Sequence, residues 1–223
     1  MLFLFSFYTI SCGIEEYYYL PQVPESNINP TLNTEASITI PTIDRSEFYY
    51  FRNYSIFYRI YISDQEIIFD SINTYPSELR SDFNAIRPYT DPTNISASTS
   101  VDQMLRNRNY YELSFEGKSI DSMLLEGKTL QIIFPTDNQR PYAYIDEVNP
   151  TNIIRSTNGS ENDRYFYYSE SLVTDPKNTD VARRSGERAY VSMYIVATGY
   201  DSINFRTIFS KPTHINIFIL TNR

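Results

Sequence analysis

The sequence predicts a mainly β protein interrupted near its middle by a helix-containing insert, and three observations predict it. The 223 residues include 21 Tyr and 14 Phe but only 6 Gly, and aromatic rings favour the pleated, half-buried surface of a strand. Several segments between Ala36 and Leu220 alternate apolar and polar residues with a period of two, the mark of strands with one face in a core. Between them, Leu79, Phe83 and Ile86 recur at helical spacing.

The chain opens on an apolar, uncharged run, Met1 to Ile10. It is about half the ~20 residues a membrane-spanning helix needs and fits the hydrophobic region of a secretion signal. The run stops at Ser11-Cys12-Gly13, which holds the only cysteine, so no internal disulfide can form. A small residue before the cysteine and a glycine after it resemble the bacterial lipobox, in a relaxed form with Thr9 where leucine is usual. That resemblance implies a diacylglycerol on the Cys12 thiol and cleavage between Ser11 and Cys12. No Lys or Arg precedes the run, which is expected to reflect a start codon set too late or a truncated sequence. Residues 1–11 are thus expected to be a lipoprotein-type signal peptide and 12–34 the lipidated cysteine with a flexible tether, broken by Pro21, Pro24 and Pro30. Residues 35–223 are expected to form one domain, with inserts at about 64–108 and 149–188.

Ala36 to Ile40 alternates as a half-buried strand. Phe48 to Ile62 reads as a central strand, with Ile56, Tyr58 and Ile60 on one face and Phe57, Arg59 and Tyr61 on the other. Ser77 to Ile86 is predicted as a short helix capped at Ser77. A polar loop is expected over 87–100, and a further helical turn over Val101 to Arg108. Strands follow at Tyr110 to Phe115, Thr129 to Phe134, Pro141 to Asp146 and Arg164 to Tyr168. Ala189 to Thr198 alternates most strongly; Gly199-Tyr200-Asp201 is expected to turn the chain into strands Phe205 to Ser210 and Ile215 to Leu220.

Two stretches resemble fibronectin type III domains. In Ser37–Tyr61, Asn53 holds a turn position before Tyr54 and alternating hydrophobics. In Ala189–Leu220, a tyrosine-bearing strand ending at Gly199 is followed by the Ser210-Lys211-Pro212-Thr213 step and a last hydrophobic strand. This resemblance implies an antiparallel β-sandwich, fibronectin type III/immunoglobulin-like, into which the helical insert is set. With the relaxed lipobox and tether, the whole resembles uncharacterised spirochaete-type (Treponema-like) lipoproteins. That implies display in a bacterial cell envelope on either the inner or the outer membrane.

The chemistry-bearing residues are sparse. His214 is the single histidine and opens the last strand after Pro212-Thr213, where an exposed edge position is expected rather than the base of a triad. One His and one Cys cannot supply a structural zinc site, and the scattered glycines build no phosphate-cradling loop. A net charge of -8 disfavours nucleic acid, whose recognition rests on clustered Lys and Arg. Acidic pairs stand at Glu15-Glu16, Asp146-Glu147 and Glu161 with Asp163, and are expected to be solvated. Asn53, Asn94 and Asn158 match the N-glycosylation pattern, which is expected by chance in an Asn-rich bacterial chain. The expected function is that of a non-catalytic binding or structural module, held to membrane lipid through acylated Cys12, with no cofactor or metal. Its ligand is undefined; another envelope or host protein is one class of partner. The two alternatives are an envelope hydrolase using paired carboxylates and an assembly subunit that pairs through a sheet edge. The long loops in Asp64–Arg108 and Asn149–Arg188 are the expected binding regions.

Overall fold

The computed structural model describes residues 20–31, 33–68, 72–90, 101–137, 139–146, 148–156, 164–182, 185–203 and 205–221. Among them the chain is mainly β, with two antiparallel sheets. One sheet runs β1 (Ile28–Thr31), β2 (Glu35–Thr39), β6 (Thr129–Ile133), β7 (Tyr142–Ile145), β8 (Val148–Ile154) and β5 (Ser114–Phe115) in spatial order. The other runs β10 (Arg206–Phe209), β9 (Arg188–Asp201), β3 (Phe51–Ser63) and β4 (Tyr111–Glu112), with β11 (Thr213–Leu220) also paired to β9.

Period-two alternation builds the shared core. Ala36, Ile38, Leu130, Ile132, Ala143 and Ile153 from the first sheet meet Ile56, Tyr58, Ile60, Val191, Met193 and Ile195 from the second, all buried. Each such side chain withdrawn from water contributes about 1.5–3 kcal/mol. The two sheets therefore stack as a sandwich around one core. The strands β3 and β9 carry a second buried layer on their outer faces, where Phe57, Tyr61, Tyr190 and Tyr194 pack. Helices α1 (Ser77–Thr90) and α2 (Val101–Asn107) supply the cover, through Leu79, Ile86 and Leu105. Both faces of β3 are thus buried, which is why its sequence reads as a nearly continuous aromatic and aliphatic run. Two short helices, α3 (Ile120–Met123) and α4 (Glu170–Thr174), are capped by Ser119 and Ser169, whose hydroxyls accept from Ser122 N and Leu172 N.

Several expectations are corrected. Residues from Leu20 onward fold with the domain: Leu20 and Val23 are buried, and β1 pairs with β2. Leu20 to Thr31, expected to belong to the tether, are therefore part of the folded domain. Tyr110 to Phe115 is not one strand. It crosses between sheets, Tyr111–Glu112 pairing with β3 and Ser114–Phe115 with β8. Arg164 to Tyr168 is irregular, although Phe166 and Tyr167 are buried. Gly199-Tyr200-Asp201 does not turn; all three continue β9 and pair with β10. Asn53 lies within β3 beside a bulge, not in a turn. Helix α1 begins at Ser77, its expected cap, since Arg80 N donates to Pro76 O and so leaves Pro76 at the cap position, and it runs on to Thr90 where a loop was expected. The expected insert at 149–188 begins instead with a core strand, β8.

Candidate functional site

The outer face of the first sheet carries an open groove. In β7, Ala143 points into the core, so the pleat sends Tyr142 and Tyr144 outward. Their rings lie 6.2 Å apart and are nearly parallel, at 23°. The antiparallel register sets Asn152 of β8 opposite Tyr142. Gln139 and Arg140 arrive on the segment leading into β7, and Pro150 on β8. These six residues line a volume of 630 Å³, within the ~300–1,000 Å³ of small-ligand sites.

A chain of polar contacts holds the groove wall. Glu116 accepts from the Tyr165 hydroxyl at 2.6 Å and from Asn152 Nδ2 at 2.7 Å. The Tyr165 bond, then the Asn152 bond, hold the Glu116 carboxyl below the ordinary carboxylate range. The same bond to Glu116 raises the Tyr165 phenol. The Arg140 guanidinium sits 4.0 Å from the centre of the Tyr165 ring, a cation–π contact that fixes its position. Among the described residues no hydrogen bond or ion pair engages the N–H donors of Arg140. The groove thus presents two tyrosine rings, one positioned cation and the amides of Gln139 and Asn152, whose nitrogens each donate one hydrogen bond within the protein, to Asp137 Oδ2 and Glu116 Oε2.

Of the predicted site residues, those that are described do not line this groove. Ser11 and Cys12, the expected cleavage and lipidation positions, lie outside the described residues, as do Glu15, Glu16, Glu147, Glu161, Asp163, Asn94 and Asn158. Asp146 is at the surface, 2.8 Å from Lys128 Nζ. Asn53 donates to Asp121 Oδ1 at 2.6 Å and accepts from the Thr198 hydroxyl. Among the described residues no group of three His, Cys, Asp or Glu side chains is arranged to hold a metal.

His214 is not an exposed edge residue. Its ring packs edge-on against Tyr194 and Phe83, and Nε2 is buried without a hydrogen-bond partner. Burial pushes the imidazole down to about 4. The same layer between α1 and the second sheet holds Asp82 and Ser192, but no triad forms. The Asp82 carboxylate is taken by Arg59, by Arg108 Nη1 at 2.7 Å and by the Tyr61 hydroxyl at 2.6 Å. Neither Ser192 Oγ nor His214 Nε2 has a hydrogen-bond partner, so the two do not bond to each other.

Comparison with protein-family models, with curated proteins and with solved structures finds no match for this chain.

Proposed function

We propose that this chain is a membrane-anchored cell-envelope lipoprotein, held by acyl chains on Cys12, whose sandwich acts as a non-catalytic module binding an oligosaccharide in the Tyr142–Tyr144 groove. The observation that carries the ligand class is the pair of outward, nearly parallel tyrosine rings flanked by Gln139, Asn152 and Arg140. The flat C–H faces of a sugar ring stack on such rings, while its hydroxyls take hydrogen bonds from amides and a guanidinium. An open groove suits an extended ligand better than a small enclosed one. The ring-rich, acidic composition disfavours a polyphosphate.

The anchoring part is supported by the apolar run that ends at Ser11-Cys12-Gly13. A fibronectin type III/immunoglobulin-like assignment is supported by strand order: β1-β2-β6 in one sheet and β3-β9-β10/β11 in the other match the A-B-E and C-F-G pairing of such sandwiches. In that reading β10 and β11 are one last strand, interrupted at Ser210-Lys211-Pro212, because both pair along the same β9. Pairing with a neighbour through a sheet edge has less support. The edge strand β1 carries Pro30, β4 and β5 have two residues each, and the longer edge strand β11 already donates from Ile219 N to Asn33 O at 2.9 Å.

The test is a titration of the ¹⁵N-labelled protein against a panel of cell-wall and host oligosaccharides. Binding is expected to shift amides of β7 and β8, and Tyr142→Ala and Tyr144→Ala are each expected to weaken it about tenfold, a loss of ~1.4 kcal/mol. Shifts confined to other surfaces, or affinity unchanged in both variants, contradict the reading.

A further inference from the structure

We propose that the β9–β10 hairpin tip is a membrane-docking surface, which lies down on the same bilayer that holds the acyl chains of Cys12. The proposal rests on the anchoring reading above and adds to it which end of the domain meets the lipid.

The tip carries the most exposed large apolar side chain among the described residues, Phe205, with a second, Ile203, two residues away. Phe205 is 80 % exposed and Ile203 62 %. Toward the same end of β9, Tyr200 is 36 % exposed and Tyr49 66 %, and their two segments are joined where Tyr200 N donates to Tyr50 O at 2.9 Å. Phe205 also holds a φ of 53°, a left-handed conformation that is rare for a bulky residue. A ring kept in water on a strained backbone is a feature found where binding needs it. The tip is braced from below: the buried Asp201 carboxylate accepts from Ile203 N at 3.0 Å and from Arg206 Nε at 3.2 Å. Phenylalanine and isoleucine suit the acyl boundary of a bilayer, and tyrosine suits its headgroup level.

The path of the chain says what covers this tip. Val23 O accepts from the Thr213 hydroxyl, and Thr213 is paired with Ile195. Three residues earlier, Leu20 lies against Gly199, where an added Cβ would stand 3.2 Å from Leu20 Cδ1. Followed backwards, the chain therefore runs along β9 toward the hairpin tip. The eight residues from Cys12 to Leu20 reach at most about 28 Å when fully extended. The opposite end of β9, at Arg188, is eleven residues from Gly199, about 36 Å along a strand. A lipid on Cys12 therefore cannot let the domain stand upright on its far end, whereas it can reach the bilayer with the tip end down.

The chain contains no tryptophan and a single cysteine, so both anchor and reporter can be placed uniquely. Phe205→Trp puts the reporter on the tip, and Ile68→Trp, at a position 62 % exposed just beyond the far end of β3, is the control. Each chain is coupled through Cys12 to maleimide-headed lipid in phosphatidylcholine vesicles, with and without brominated acyl chains. The tryptophan at 205 is expected to shift to the blue and lose half or more of its emission to bromine, and the one at 68 to do neither. Adding Ile203→Asp to Phe205→Trp is expected to restore aqueous emission. Water-like emission at 205, the result a protein-docking tip would give, overturns the proposal, as does equal quenching at both positions. Whether Cys12 is acylated in cells is read separately from the mass of the mature chain, so a failed anchor and a failed docking surface are told apart.

Discussion

Arg155 and Asp180 form an ion pair with no exposed side-chain surface on either partner, Nη2 to Oδ1 at 2.5 Å. Arg155 Nε reaches Asp180 Oδ2 at 2.8 Å, and Nη2 also donates to Asn178 Oδ1 at 3.0 Å. The pair clasps the end of β8 to the 178–182 segment, which in turn bonds to β3 through Ile60 N to Asp180 O and Ala182 N to Ile60 O. Removing one member strands the other charge in the interior. Asp180→Ala is predicted to destabilise the domain by about 3–5 kcal/mol, whereas the double change Arg155→Met with Asp180→Leu recovers most of that loss. Urea unfolding of the three proteins checks it; equal losses in single and double variants would show that the pair is not the cause.

Asp82 does for the helical layer what Asp180 does for the sheet end. Its carboxylate gathers Arg59, Arg108 and Tyr61, tying α1 and the turn after α2 to β3. Asp82→Ala is predicted to raise hydrogen exchange in 77–90 and 101–110 by at least tenfold while β2, β6 and β7 keep their protection. Uniform loss of protection would mean that the layer and the sandwich unfold together.

His214 makes stability depend on pH. Burial depresses its folded value to about 4 from 6.5. Between those values the unfolded chain binds the proton and the folded chain does not, so stability is complete above about pH 6.5 and falls as pH drops toward 4. The span corresponds to at most about 3 kcal/mol. His214→Phe, which suits the ring contacts to Phe83 and Tyr194, is predicted to flatten this slope. Thermal unfolding from pH 7 to pH 4.5 measures it, and parallel slopes in wild type and variant would remove His214 from the account.

Gly186 has a φ of 137°, and a Cβ there would meet Ser63 backbone atoms at 2.6 Å. Gly186→Ala is predicted to cost about 1–3 kcal/mol, since strain and a clash with main chain act together. Denaturant midpoints of the two proteins give the number, and a loss under 0.5 kcal/mol would contradict this local geometry.

The parts of the fold legible in the sequence are those whose period decides the outcome. In β3 and β9 the two faces separate as the alternation of Ile56, Tyr58 and Ile60 with Phe57, Arg59 and Tyr61 implies. Leu79 and Ile86 mark α1 in the same way. β8 was hidden because Asn149 takes a positive φ and Pro150 lacks a donor, both of which read as loop. Arg164 to Tyr168 misled in the opposite sense. Its rings are needed to fill the core, but its backbone bonds to single partners, Tyr168 N to Thr221 O among them. His214 was misplaced because polarity at a strand start says nothing of Phe83 arriving from another element. The groove was half legible. The strand over Pro141 to Asp146 reads from the sequence, but the meeting of Tyr142 with Asn152 and Arg140 is set by register and by Tyr165, which no local pattern contains.

The most direct test is metabolic labelling with radioactive palmitate, comparing the wild-type chain with Cys12→Ser expressed in a bacterium. Label is expected in the wild-type protein and none in the variant, with the wild-type chain staying in the membrane fraction. An unlabelled, uncleaved wild-type chain recovered in the cytosol would contradict anchoring through Cys12.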